Sequence, residues 1–178
     1  MPDDTTGPRD SVQALADASA SVAWVVLLNK PFYPLYVWYF VGSGTAASTL
    51  TMASAPIYAA IALYARRAPL AARFALPFAG VADTALAAKL FGPAAGAALF
   101  LAPCAMIVAL SFRISERWIA IALLVLIYLA FIVLNGAAGS PLRVWSDAEL
   151  SRLLTLNSFA VASLTAFVGW RYSNVARD

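Results

Sequence analysis

Long apolar runs alternate with short polar intervals along this chain, and the spacing of the intervals sets the elements. Residues 1–18, MPDDTTGPRDSVQALADA, are polar and acidic and lack a basic stretch ahead of an apolar core. They predict an N-terminal tail with a short surface helix at residues 12–18, and no signal peptide. Between Phe32 and Tyr64 lies an uncharged run of 33 residues. As one helix it would extend about 50 Å, against a hydrocarbon core of about 30 Å. Gly42-Ser43-Gly44 interrupts it and predicts a hairpin. Span 1 is then residues 22–41 and span 2 residues 45–64. The aromatic cluster Phe32, Tyr33, Tyr36, Trp38, Tyr39 and Phe40 falls at one membrane face, as an aromatic belt does.

A basic loop follows at residues 66–73, then span 3 at 74–91, a turn at Gly92-Pro93, and span 4 to Phe112. Residues 113–117 lead into span 5, residues 118–134, the richest in Leu, Ile and Val. The longest loop, residues 135–152, opens with Gly136, Gly139 and Pro141. Ser146, followed three residues later by Glu149, is a capping box that starts the helix of span 6, residues 153–170. The expected architecture is an all-α polytopic bundle over residues 19–172 with six transmembrane helices, five being the alternative. Residues 173–178 form a cytoplasmic end or the start of a linker.

Composition agrees: 62% of the residues are hydrophobic and 12% charged, against about 25% charged in an average soluble domain. The net charge of +3 comes from residues scattered over connecting segments, so it signals topology and not nucleic-acid binding. Under six spans, Arg66, Arg67, Arg73, Arg113, Arg117, Arg171 and Arg177 lie on one side, and Lys89, Arg143 and Arg152 on the other. The positive-inside rule then places both termini in the cytoplasm of a bacterial inner membrane. Histidine is absent, which removes bis-His haem, the usual zinc and di-iron sites and His-based nucleophilic catalysis. No phosphate loop, metal cluster or nucleophile elbow occurs, so no catalytic residue, metal or cofactor is assigned.

Ionisable groups at membrane depth are costly and point to a function. Asp83, near the middle of span 3, and Lys30, near the middle of span 1, are expected to meet as an interhelical ion pair. Asp83 is then either a ligand contact or switch, or a structural anchor between helices. Lys89 lies about 240° round the helix from Asp83 and is expected to reach for the interface. Asn135 and Asn157, with the loop bearing Arg143, Trp145, Asp147 and Glu149, either line an outward-facing pocket or form a solvated loop with a helix cap. Gly92 and Gly96, four residues apart, offer close helix approach or dimerisation. Pro56, Pro77 and Pro103 are expected to kink spans 2, 3 and 4. Cys104 sits in an apolar run as a small buried side chain.

The stretch Lys89-Leu-Phe-Gly-Pro-Ala-Ala-Gly-Ala-Ala-Leu-Phe-Leu101, with Leu110-Ser-Phe-Arg113 closing the next span, resembles the middle of the six-span membrane modules of bacterial class III adenylate cyclases and related signalling proteins. Leu156-Asn157-Ser158-Phe159 and Arg171-Tyr-Ser-Asn-Val-Ala-Arg177 resemble the segment leading into their cytoplasmic linker. The resemblance implies a homodimeric sensor or anchor that detects a small lipophilic or membrane-borne signal and relays it to a cytoplasmic effector beyond Asp178, with no cyclase chemistry on this chain. Lys30-Pro31, Asp83, Phe91-Gly92 and Leu99-Phe100 also resemble the lysoplasmalogenase-like family of membrane enzymes acting on lipids, although Asp83 is the one acidic residue in the membrane core. A transporter or accessory subunit is the third alternative.

Overall fold

The computed structural model describes residues 8–136 and 139–175. The tail at residues 1–7 and the C-terminal residues 176–178, with Arg177, lie outside the described residues. Among the described residues every regular element is helical. Five helices are long and apolar enough to cross a membrane, and the segment Ala97–Ser111 is apolar but shorter.

Helix α1 (Pro8–Asn29) begins well inside the expected tail and runs to the middle of expected span 1. Ala16, Ala18 and Ser19 are fully buried against the bundle, so small side chains, more than bulk hydropathy, seat this helix. Lys30 N–H still bonds to the carbonyls of Val26 and Leu27 at 3.1 and 3.2 Å. Pro31 then supplies no N–H and its ring crowds the preceding turn, which ends the helix. The chain resumes as α2 (Phe32–Tyr36) and a π-helical turn, Val37–Val41. Expected span 1 is therefore two helices joined at a break. Gly42 closes the second with φ +82°, and Gly44 also takes a positive φ, so the hairpin stands where the glycines placed it.

Helix α3 (Thr45–Thr49) tightens into a 3₁₀ turn, Leu50–Ser54, before α4 (Ala55–Tyr64). Pro56 has no N–H for the carbonyl of Met52, and the N–H of Ala55 bonds to it instead. The hydroxyls of Ser48, Thr49 and Thr51 each donate to the carbonyl three residues back at 2.7 Å, which favours the tighter winding. Proline thus produces a 3₁₀ segment here.

Helix α5 (Pro69–Phe91) starts within the expected basic loop, and Arg73 lies inside it. Two 3₁₀ turns, Pro93–Ala95 and Ala97–Phe100, lead into α6 (Leu101–Ser111). Gly92 and Gly96 adopt φ of +85° and +76° on either side of the first turn. They lie in turns and not on one helix face, so the close helix approach expected of them is made at a turn. A Cβ on Gly96 would lie 2.5 Å from Leu154 Cδ1, so this glycine admits helix α8 (Asp147–Val175). Between them runs α7 (Arg117–Gly136). The capping box forms at the start of α8, with Ser146 N–H donating to Glu149 Oε2 at 2.8 Å and Glu149 N–H to Ser146 Oγ at 3.3 Å.

Hydrogen bonds define the two ends of the bundle. At one, Lys89 Nζ donates to the Ser140 carbonyl at 2.9 Å and Trp145 Nε1 to the Leu90 carbonyl at 3.2 Å. At the other, Arg73 meets Glu116, and Ser19 Oγ lies 2.8 Å from Tyr172 Oη. Large aromatics are exposed near both. Trp38, Tyr39 and Phe40 lie before the hairpin, and Tyr64, Trp118 and Trp170 lie at the far end. Two aromatic girdles of this kind fit the interfaces of a bilayer.

Candidate functional site

Two interrupted helices and the continuous α5 converge on one ion pair. Lys30 sits at the C-terminal end of α1, where unpaired helix carbonyls favour a cation. Its Nζ bonds to Asp83 Oδ2 on α5. The other carboxylate oxygen accepts the hydroxyl of Ser54 at 2.9 Å, from the 3₁₀ turn before Pro56. The ammonium also lies 5.4 Å from the ring centroid of Tyr58 on α4. The side chain of Lys30 is 8% exposed and that of Asp83 18%. Each charge is thereby neutralised and hydrogen-bonded, the condition under which burying a pair is tolerable. Both oxygens of Asp83 are engaged, which leaves the carboxylate holding three elements together.

The break after Asn29 is what allows this geometry. The Lys30 N–H still closes the last turn of α1, and the Pro31 break leaves its side chain at a helix end instead of mid-helix. Ser54 and Tyr58, one turn apart, add the polar and aromatic partners. Neither stands out in the sequence, because hydroxyls and tyrosines are common in this chain and the pairing crosses 29 residues.

Asn157 and Trp145 form a second cluster at the hairpin end. Tyr33 Oη donates to Asn157 Oδ1 at 3.0 Å, and Asn157 Nδ2 donates to the Ala95 carbonyl at 2.8 Å. Asn157 is buried and ties α2, the first 3₁₀ turn and α8 together. Trp145 packs on Phe91 with ring centroids 5.5 Å apart, and the Arg143 guanidinium covers its ring at 4.5 Å. Arg143 also pairs with Glu149 at 3.3 Å, and Ser43 donates to the same carboxylate. A Cβ on Gly44 would run into the Trp145 ring. The tryptophan therefore plugs the region where an outward pocket is one expectation. Asn135 does not join it: the side chain is exposed and bonds to the Phe131 carbonyl of its own helix at 2.8 Å.

These two asparagines give a direct comparison. Asn157→Leu strands the Tyr33 hydroxyl and the Ala95 carbonyl, and is expected to cost about 2 kcal/mol of stability. Asn135→Ala is expected to change it by less than about 0.5 kcal/mol. Unfolding of the purified chain by denaturing detergent, followed by circular dichroism, measures both.

A third polar site leaves no mark in the sequence. Arg73, which its neighbours place in a loop, is 1% exposed. Its Nη1 and Nη2 donate to the two oxygens of Glu116 at 2.8 and 2.7 Å, and Nη1 also reaches the Ser111 carbonyl at 2.7 Å. This fork joins the start of α5, the end of α6 and the 3₁₀ turn Ile114–Glu116 that leads into α7, far from Lys30. Among the described residues no three acidic or cysteine side chains converge as metal ligands. No protein-family model, curated protein or solved structure matches this chain.

Proposed function

We propose that the chain is a six-pass membrane sensor or anchor module, with the Lys30–Asp83 pair as its switch and a cytoplasmic effector, such as a nucleotide cyclase, as its output. One observation carries the reading. Helix α1 bears Lys30 at one end and, about 16 Å back along its axis at 1.5 Å per residue, packs on the C-terminal part of α8. The contacts are Ser19 with Tyr172 at 2.8 Å and Ser21 with Arg171 at 3.1 Å. A change at the pair that moves α1 is transmitted to the chain's C-terminal helix, and rigid helices are the elements that carry such displacements.

Six passes are favoured because the segment Pro93–Ser111 leaves the Phe91 end and finishes at Ser111 beside Arg73, near the start of α5. It travels the length of the bundle although its helix is short. Arg66, Arg67, Arg113, Arg117 and Arg171 share that far end. Arg73 is internal and drops out of the topology argument, which still favours a cytoplasmic placement for this end. A lipophilic signal and a homodimeric state accompany the sensor reading. The signal would act by favouring one of two arrangements of α1.

The test is to append a class III cyclase catalytic domain after Asp178 and compare wild type with Asp83→Asn in membranes. A change in cyclase rate of threefold or more, with expression and helix content retained, is the expected outcome. An unchanged rate in a folded variant overturns the relay. Release of aldehyde from lysoplasmalogen by the purified chain would replace it with a lipid-enzyme reading.

A further inference from the structure

At the end of the bundle that holds Tyr172, α1, α4 and α8 enclose a cleft of about 330 Å³ lined by Asp17, Ser21, Trp24, Leu63, Arg66 and Arg171. Two guanidiniums share it with one carboxylate, so the cleft is net positive. Arg66 directs Nε and Nη2 at the two oxygens of Asp17, at 2.9 and 3.2 Å, and its side chain is 79% exposed. Arg171 donates through Nε to Ser21 Oγ. Among the described residues its two Nη nitrogens donate to no group, so they are available to an incoming acceptor. Trp24 and Leu63, 40% and 65% exposed, continue the polar floor as an apolar flank.

We propose that this cleft binds the phosphate of an anionic phospholipid, with Arg171 and Arg66 donating to its oxygens and the lipid chain lying along Trp24 and Leu63. Guanidinium forks match phosphate oxygens in charge and geometry. Basic pockets between transmembrane helices near an interface are where lipid headgroups dock. A free phosphate would use the arginines equally well but would leave the Trp24 and Leu63 flank without a role, which is why the lipid is the assigned source. Asp17 competes for Arg66, so its carboxylate sets the affinity from within the site. The inference rests on the membrane embedding and not on the relay from Lys30, so either fails without the other.

Binding of phosphatidylglycerol and of phosphatidylcholine to the purified full chain, each titrated and read by native mass spectrometry, tests it. Wild type is expected to prefer phosphatidylglycerol. Arg66→Gln and Arg171→Gln should each weaken that binding about fivefold, the scale of one basic residue at an anionic surface, with phosphatidylcholine binding unchanged. Asp17→Asn should tighten it, an opposite sign that misfolding would not produce. Arg66 is exposed, so its variant keeps the test interpretable even where Arg171→Gln fails to fold. Retention of the full preference in Arg66→Gln and Asp17→Asn, or displacement of the lipid by millimolar inorganic phosphate, overturns the proposal.

Discussion

Replacing Arg73 by methionine is expected to lower the stability of the bundle by about 3 kcal/mol, the scale of breaking a buried ion pair from one side. Three losses coincide. The Glu116 carboxylate loses both guanidinium donors, the Ser111 carbonyl loses its 2.7 Å partner, and the Phe112 ring, 5.7 Å from the guanidinium, loses a packed neighbour. Lysine should recover only part of this, because an ammonium cannot span both carboxylate oxygens and a carbonyl on a third segment. Glu116→Gln should cost less than Arg73→Met, since the amide still accepts one hydrogen bond and the retained guanidinium keeps its bond to the Ser111 carbonyl. Unfolding by denaturing detergent, with helix content as the signal, ranks the three variants. Equal stability of Arg73→Met and wild type would mean that the fork does not join α5, α6 and the turn leading into α7.

Arg73 also marks where sequence reasoning stops. Its neighbours Arg66, Arg67 and Pro69 read as a connection, and Pro69 does begin a helix. Nothing local indicates that the fourth residue after it turns inward, because its partner Glu116 lies 43 positions away. Features set by adjacent residues are legible. The Gly42 to Gly44 hairpin follows from backbone freedom, and the Ser146 and Glu149 cap follows from a three-residue spacing. The long apolar helices follow from hydropathy, five of them meeting the length and composition needed to cross a membrane. Span 1 misleads because counting back from the Gly42 hairpin crosses the Pro31 break, although Asp10–Asn29 by itself is long and apolar enough to cross a membrane. Nearness to one end groups Asn135, Trp145 and Asn157 in the sequence. Helical register decides their fates: Asn157 faces the packed interior and Asn135 faces outward.

Lys30 and Asp83 are legible for a different reason. With one cation and one anion at depth, the cost of an isolated charge in lipid leaves each little choice of partner, and the structure pairs them. Asp83→Ala and Lys30→Met, made singly, are each expected to cost about 3 kcal/mol, since each leaves an unpaired charge in the bundle. The double variant Lys30→Met with Asp83→Ala should cost less than the sum by about 2 kcal/mol, the coupling of two charges in contact. Strict additivity would show that Ser54 and Tyr58, and not the pair, hold the α1 break against α5. The same cycle separates anchoring from switching. If the pair only anchors, recovering stability in the double variant recovers the appended cyclase rate with it. If the pair is the switch, the double variant folds and stays unresponsive, because neutral side chains at positions 30 and 83 have no charged state left for a signal to favour.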